Sequence, residues 1–176
     1  MAKNFPLILA SSLLFFLVVF VPYAQVKSAS VKRSYTPRVA AELTKQEVKK
    51  PTAVINEVAI NLEIADSQDK WAKGLSFRES LDQETGLLFD FGKKDSRPTF
   101  WMKDMNFPID IIWINDNEIV GIVKNAPVPE PDTPTQILPR YVPDEPIDYV
   151  LEVNAGFTDA NDINVGDTIL FRNYNL

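Results

Sequence analysis

Six side chains of mixed chemical type could form a binding surface in this chain. The sequence contains no His and no Cys, which excludes Ser-His-Asp triads, thiolate nucleophiles and the common zinc sites. Carboxylates, cations, amides and aromatic rings must therefore carry any chemistry. The binding residues we consider are Arg78, Trp101, Lys103, Asp110, Glu152 and Asn154.

An aromatic ring and a cation stand close together at Trp101 and Lys103. The segment 99–104 reads as a strand, which would place these two side chains on one face and Phe100 and Met102 on the other. A ring beside a cation could stack a sugar or another flat ligand. The alternative is that a later loop covers Trp101.

Two carboxylates, Asp110 and Glu152, invite a structural and a chemical interpretation. Asp110 begins an otherwise apolar strand, so it needs a partner such as Arg78 or Lys103. Glu152 and Asn154 fall on the polar face of a later strand, which is either solvated or part of a site. Asp110 and Glu152 could also act as a general acid/base pair. Their separation is not fixed by the sequence, so no catalytic residue is assigned.

Metal ions, cofactors and nucleic acids are not expected as ligands. Met102 and Met105 make a poor soft-metal site without His or Cys. The acidic clusters at 115–118 and 159–167 do not follow calcium-loop spacing. Residues 54–176 contain ten Lys/Arg against 22 Asp/Glu, a net charge of −12, and a phosphate backbone would be repelled by this charge.

Alternating apolar residues predict about seven short strands, with a short helix over 67–75 and a helical turn after Thr158. The pattern is typical of a mainly β sandwich or barrel, with an α+β fold as the alternative. The predicted strands cover 57–65, 86–91, 99–104, 109–114, 119–123, 149–155 and 168–172.

Residues 127–146 interrupt this pattern with seven prolines. Proline lacks an amide donor and fixes φ, so this segment cannot be a central strand. We expect a stiff loop. Its apolar residues Ile137, Leu138 and Tyr141 indicate that it packs onto the domain.

The N-terminal part of the chain predicts export. Residues 5–21 are apolar and uncharged, which is typical of a signal sequence or membrane anchor. We therefore assign 1–24 to that segment. Residues 25–53, with seven Lys/Arg and two Glu, form a basic flexible tether, and 54–176 form one β-rich domain. The expected location is periplasmic or extracellular, with 5–21 attaching the protein to the membrane if uncleaved.

Four sequence blocks resemble a known family. They read GLSFRESLDQETGLLFDF (74–91), FWMKDMNFPIDIIWIN (100–115), VLEVNAG (150–156) and INVGDTI (163–169). Together they resemble the uncharacterised bacterial and archaeal domain-of-unknown-function family 192. Ser76 replaces the Met usual in that family, and Asp104-Met105 replace its usual Asn-Thr. The resemblance implies a compact, mainly β domain, often behind an export signal, and no established activity.

Three functions remain open for this domain. The favoured one is a non-catalytic ligand-binding module at the cell envelope, using the polar-aromatic surface for a small molecule, a saccharide or an envelope protein. The first alternative is a carboxylate-based hydrolase of an envelope polymer. The second is a protein-interaction or assembly factor that uses the proline-rich loop 127–146.

Overall fold

Seven strands and two short helices make up the computed structural model, which describes residues 49–92 and 96–174. The helices are α1 (Gln68–Lys73) and α2 (Phe157–Ala160), and a 3-10 turn covers Thr135–Ile137. The strands are β1 (Thr52–Ile55), β2 (Val58–Ala65), β3 (Thr85–Asp90), β4 (Ile109–Asn115), β5 (Glu118–Ala126), β6 (Tyr149–Asn154) and β7 (Ile169–Arg172).

The strands form one mixed sheet in the order β5-β4-β6-β3-β2-β1-β7. The pair β2–β3 is parallel and the other pairs are antiparallel. The sheet curls until its two edge strands meet. Glu118 of β5 forms a bridge with Thr168, and the Ile119 amide donates to the Asp167 carbonyl at 2.9 Å. The result is a half-barrel, which confirms the prediction of a mainly β, barrel-like fold.

Both faces of the central strands β3, β4 and β6 are buried, whereas β2 exposes one face. On one face, an apolar cluster draws residues from all seven strands, including the fully buried Ile60, Ile112 and Leu151. The opposite face carries a second cluster, to which segments outside the sheet contribute Leu75 and Met102. The polar face that we expected for β6 is therefore wrong: Glu152 is buried on the face of this second cluster.

The predicted strand at 99–104 does not form. Phe100 makes an isolated bridge with Tyr141, 41 residues away in sequence, and their amides and carbonyls pair at 2.8 and 2.9 Å. The chain then turns at Asp104, whose φ is +56°. Met102 is nevertheless buried and Trp101 is 44% exposed. The two neighbouring side chains therefore point in different directions, as predicted, although the segment does not pair as a regular strand.

The first strand begins at Thr52, two residues before the start predicted for the domain. Ala53 is fully buried and lies between Ile60 of β2 and Phe171 of β7. The predicted segment 1–24 and most of the predicted tether lie outside the described residues. Among residues 49–92 and 96–174, no helix is long and apolar enough to cross a membrane.

Candidate functional site

An aromatic cavity of about 150 Å³ lies between α1, β3 and the segment that precedes β4. An apolar cavity of about this volume holds one benzene molecule, so the space suits a ring-sized group. We call it the aromatic cavity. Its lining includes five aromatic side chains and one carboxyl group: Trp71, Phe89, Phe91, Phe100, Trp101 and Glu152.

The aromatic walls are fixed by contacts within the protein. The Trp71 indole N–H donates to the backbone carbonyls of Ala65 at 2.8 Å and Asp90 at 3.0 Å. The Phe91 ring lies 5.2 Å from the Trp71 ring, between centroids. Since its only polar atom is already bonded, Trp71 can offer a ligand only its ring.

Gly74 shapes the cavity where α1 ends. Its φ is +48°, a conformation that side chains rarely adopt, and its amide donates to the Lys70 carbonyl at 2.8 Å. A Cβ atom at Gly74 would lie 3.3 Å from Cζ of Phe89. A side chain here would therefore strain the backbone and crowd the cavity wall.

Two residues with left-handed backbone join the segments on either side of the cavity. Phe77 has φ +64° and Asp104 has φ +56°, and the Phe77 amide donates to the Asp104 carbonyl at 2.8 Å. The Ser76 hydroxyl donates to the Lys103 carbonyl at 2.9 Å. Asp tolerates this conformation, whereas at Phe77 it costs on the order of 1–3 kcal/mol.

Glu152 is the carboxyl group of the cavity lining. Glu152 is only 6% exposed. Among the described residues, its Oε2 atom has no hydrogen-bond partner. Burial raises the pKa of Glu152 to about 8, against a smaller lowering effect from the positive charge of Arg78. Glu152 is therefore largely protonated at neutral pH, and a bound cation would shift it toward the carboxylate.

Arg78 is held by a different carboxylate. Its guanidinium donates to Glu63 Oε1 at 3.0 Å and to Glu63 Oε2 at 2.7 Å. Sheet pairing aligns Glu63 with Leu87, and Leu87 with Glu152, so both Glu side chains lie on one face, about 10 Å apart across two strands. The pKa of Glu63 is lowered, mainly by its hydrogen bonds to Arg78.

Asp110 lies on the face of the sheet opposite to Glu152. On adjoining pairs of β4 and β6, Asp110 aligns with Val153, and Ile111 aligns with Glu152. Neighbours along a strand point to opposite faces. The general acid/base pair considered from the sequence is therefore not formed.

Asp110 has a structural role. It is fully buried and accepts hydrogen bonds from the amides of Asn125, Gly156 and Thr158 at 2.8, 3.2 and 3.0 Å. The Thr158 hydroxyl donates to it at 2.6 Å. The predicted pairing with Arg78 or Lys103 is wrong, because backbone amides satisfy this carboxylate and hold α2 against β4.

The remaining sequence-predicted residues divide between the cavity and other contacts. Trp101 lines the cavity, and the Arg140 guanidinium from the proline-rich loop lies 4.0 Å from its ring centroid. Lys103 forms an ion pair with Asp104. Asn154 donates to the Leu81 carbonyl at 3.0 Å, which secures the loop before β3. Trp101 and Glu152 thus meet in one cavity, whereas Asp110 and Asn154 do not join them.

Sequence reasoning missed most of the cavity wall. It did not identify Trp71, Phe89, Phe91 or Gly74 as site residues, because apolar side chains at helix or strand spacing are typical of ordinary core packing. The space between them depends on where α1 lies relative to Pro98 and its neighbours. The described residues, with 93–95 excluded, contain no group of three or more His, Cys, Asp or Glu that could hold a metal.

Comparisons with known proteins find one uncharacterised family and solved structures of similar fold. The family model DUF192, described as "Uncharacterized ACR", matches residues 51–171. A structure from Sinorhizobium meliloti 1021, described as a candidate transcription regulator, has a TM-score of 0.61 at 26% identity, covering 70% of this chain and 93% of its own. A protein of unknown function from Novosphingobium aromaticivorans DSM 12444 has a TM-score of 0.60 at 27% identity, covering 68% and 83%. No curated protein matches the chain.

Proposed function

Since the chain belongs to DUF192, a family of unknown function, we propose a function from its own geometry: a non-catalytic module that binds a small molecule in the aromatic cavity. The cavity would receive one ring-sized group, and the remainder of the ligand would extend outward past Trp101. The single observation that carries this proposal is the buried Glu152 in an aromatic lining, whose Oε2 atom has no hydrogen-bond partner among the described residues. The export expected from residues 5–21 would place this module at the cell envelope.

The unpartnered carboxyl group supports binding because it is costly in the free protein. A buried polar atom without a hydrogen bond costs on the order of 1–3 kcal/mol. A ligand that donates to Glu152 would recover that free energy. Pockets with apolar walls and a few polar groups, one with a perturbed pKa, are typical of ligand sites. The aromatic cavity combines aromatic walls with polar side chains, and the pKa of one of these side chains, Glu152, is raised.

The alternatives receive less support. A carboxylate hydrolase needs two carboxyl groups flanking one bond, and Asp110 and Glu152 lie on opposite faces of the sheet. Nucleic-acid binding by this domain, which the description of the Sinorhizobium protein could suggest, is disfavoured because residues 54–176 carry ten Lys/Arg against 22 Asp/Glu. The protein-interaction role of loop 127–146 stays a prediction, with the 71%-exposed Ile137 as its apolar feature.

Two matched variants test whether a ring enters the aromatic cavity. The full chain, held in a nondenaturing detergent, is mixed with benzyl alcohol, and saturation transfer from protein to probe is measured by NMR. Ala72 is exposed and lines the cavity, so Ala72→Phe should obstruct it without disturbing the core. Ala160 is also exposed but lines a different groove, so Ala160→Phe is the control.

The proposal predicts saturation transfer in the wild type and in Ala160→Phe, and its loss in Ala72→Phe. Both variants should melt within a few degrees of the wild type, because both substitutions are at exposed positions. No transfer in the wild type, or equal transfer in Ala72→Phe, would show that the aromatic cavity is not the binding site.

A further inference from the structure

Resting on the binding role just proposed, we infer that the group entering the aromatic cavity is an organic ammonium, and that Glu152 is its counter-ion. The ligand class is thus a primary or substituted amine attached to a ring-sized apolar group.

The cavity contains a buried acceptor, the Glu152 carboxyl group, that a ligand could reach. Two of the donors in its lining are already bonded to backbone carbonyls: the Trp71 indole to Ala65 and Asp90, and the Ser76 hydroxyl to Lys103. Glu152 contributes the buried oxygen without a partner among the described residues. A ligand that is complementary to this lining brings a donor.

Charge favours a cationic donor over a neutral one. Arg78, the cation whose charge acts on Glu152, is held elsewhere by two hydrogen bonds with Glu63. A cation beside a buried carboxylate offsets the free-energy cost of removing that carboxylate from water. A neutral donor offsets only part of this cost.

The aromatic walls add to this preference, because ring faces attract cations. The wall residue Trp101 already carries the Arg140 guanidinium 4.0 Å from its centroid. At longer range, the excess of 22 Asp/Glu over ten Lys/Arg in residues 54–176 draws cations toward the domain.

One charge opposes the ligand. Lys73, at the end of α1, is exposed and lines the aromatic cavity. Its ammonium repels a cationic ligand and competes with it for Glu152. Neutralising Lys73 should therefore strengthen amine binding, whereas a neutral ligand should be indifferent to the change. Stronger binding of the amine with unchanged binding of the neutral ligand would distinguish a charge effect from general damage to the cavity.

Binding should release a proton. Glu152 would enter the complex as a carboxylate, giving its proton to solvent, while the amine keeps the proton that it carries at neutral pH. The charge that acts on Glu152 is that of Arg78, which is paired with Glu63, and Lys73 on α1 lines the same cavity. The neighbours of Glu152 on the adjoining strands, Leu87 and Ile111, do not ionise.

Isothermal titration calorimetry at pH 7 compares benzylamine with benzyl alcohol, which has the same ring and a neutral donor. The proteins are the full-length wild type, Glu152→Gln and Lys73→Met in a nondenaturing detergent. Benzylamine should bind Glu152→Gln at least about tenfold more weakly than the wild type. It should bind Lys73→Met about twofold more tightly. Benzyl alcohol should bind all three alike.

Proton release is measured with wild-type protein alone, in buffers of different ionisation enthalpy, so the test holds even if Glu152→Gln folds poorly. The heat of benzylamine binding should depend on the buffer, and that of benzyl alcohol should not. If benzyl alcohol binds in the cavity but benzylamine binds no better and releases no proton, the ammonium inference is overturned and the binding role stands. If neither probe binds, both are overturned.

Discussion

The buried acid predicts a specific pH dependence of stability. The pKa of Glu152 is about 8 in the folded domain and returns to about 4.3 in the unfolded chain. Between these values the folded state holds about one proton more than the unfolded state. The stabilising contribution is therefore complete below the unfolded pKa and is lost as pH rises through about 8.

The magnitude follows from proton linkage. With nearly one proton of difference, the free energy of unfolding falls by up to about 1.4 kcal/mol per pH unit. From pH 5.5 to pH 7.5 the contribution of Glu152 should thus fall by about 2–3 kcal/mol. In Glu152→Gln this change should be absent, because the amide stays neutral at every pH.

The measurement is urea unfolding of residues 49–176, as wild type and as Glu152→Gln, at several pH values between 5.5 and 7.5. Every other carboxylate titrates alike in both proteins, so the difference between their free energies of unfolding isolates Glu152. Glu152→Gln should gain about 2–3 kcal/mol relative to the wild type over this interval. A difference that stays constant with pH would refute the buried, protonated state of Glu152.

Three further predictions concern the fold. A fragment starting at residue 54 loses half of β1, which joins β2 to β7, so 54–176 should melt well below 49–176 in calorimetry; equal melting would contradict this role for β1. Phe100→Ala should cost about 3 kcal/mol and Trp101→Ala about 1 kcal/mol in denaturant unfolding, and equal losses would show that Trp101 is a core residue. Thr158→Val removes a 2.6 Å hydrogen bond to the buried carboxylate of β4 and should cost about 1.5–3 kcal/mol, whereas an unchanged stability would contradict its importance.

Much of the fold could be predicted from local sequence pattern. The hairpin of β4 and β5 follows from two apolar runs around a polar turn, and β2 follows from alternation. The short β1 could not be recognised from the sequence. It follows a basic segment, and only two of its four residues, Val54 and Ile55, are typical of a strand. The segment 99–104 alternates like a strand, but its partner Tyr141 lies in a loop, which no local pattern reveals.

The candidate site was predictable only in part. Glu152 and Trp101 stood out by residue type, but alternation put Glu152 on a polar face. In a strand such as β6, which is buried on both faces, alternation separates the two faces but does not show whether either one is exposed to solvent. The cavity itself depends on packing between segments distant in sequence. Asp104, which replaces the family's usual Asn, has φ +56°. Both Asp and Asn tolerate this left-handed conformation, so the replacement does not require a different backbone.

A crystal structure of the protein soaked with benzylamine would test most directly whether the aromatic cavity is a ligand site. The proposal predicts the ring between Trp71 and Phe100, with the amine nitrogen about 3 Å from the Glu152 carboxylate. Ordered water bonded to Glu152 in a cavity without benzylamine, under conditions where benzylamine is found elsewhere on the protein, would contradict it.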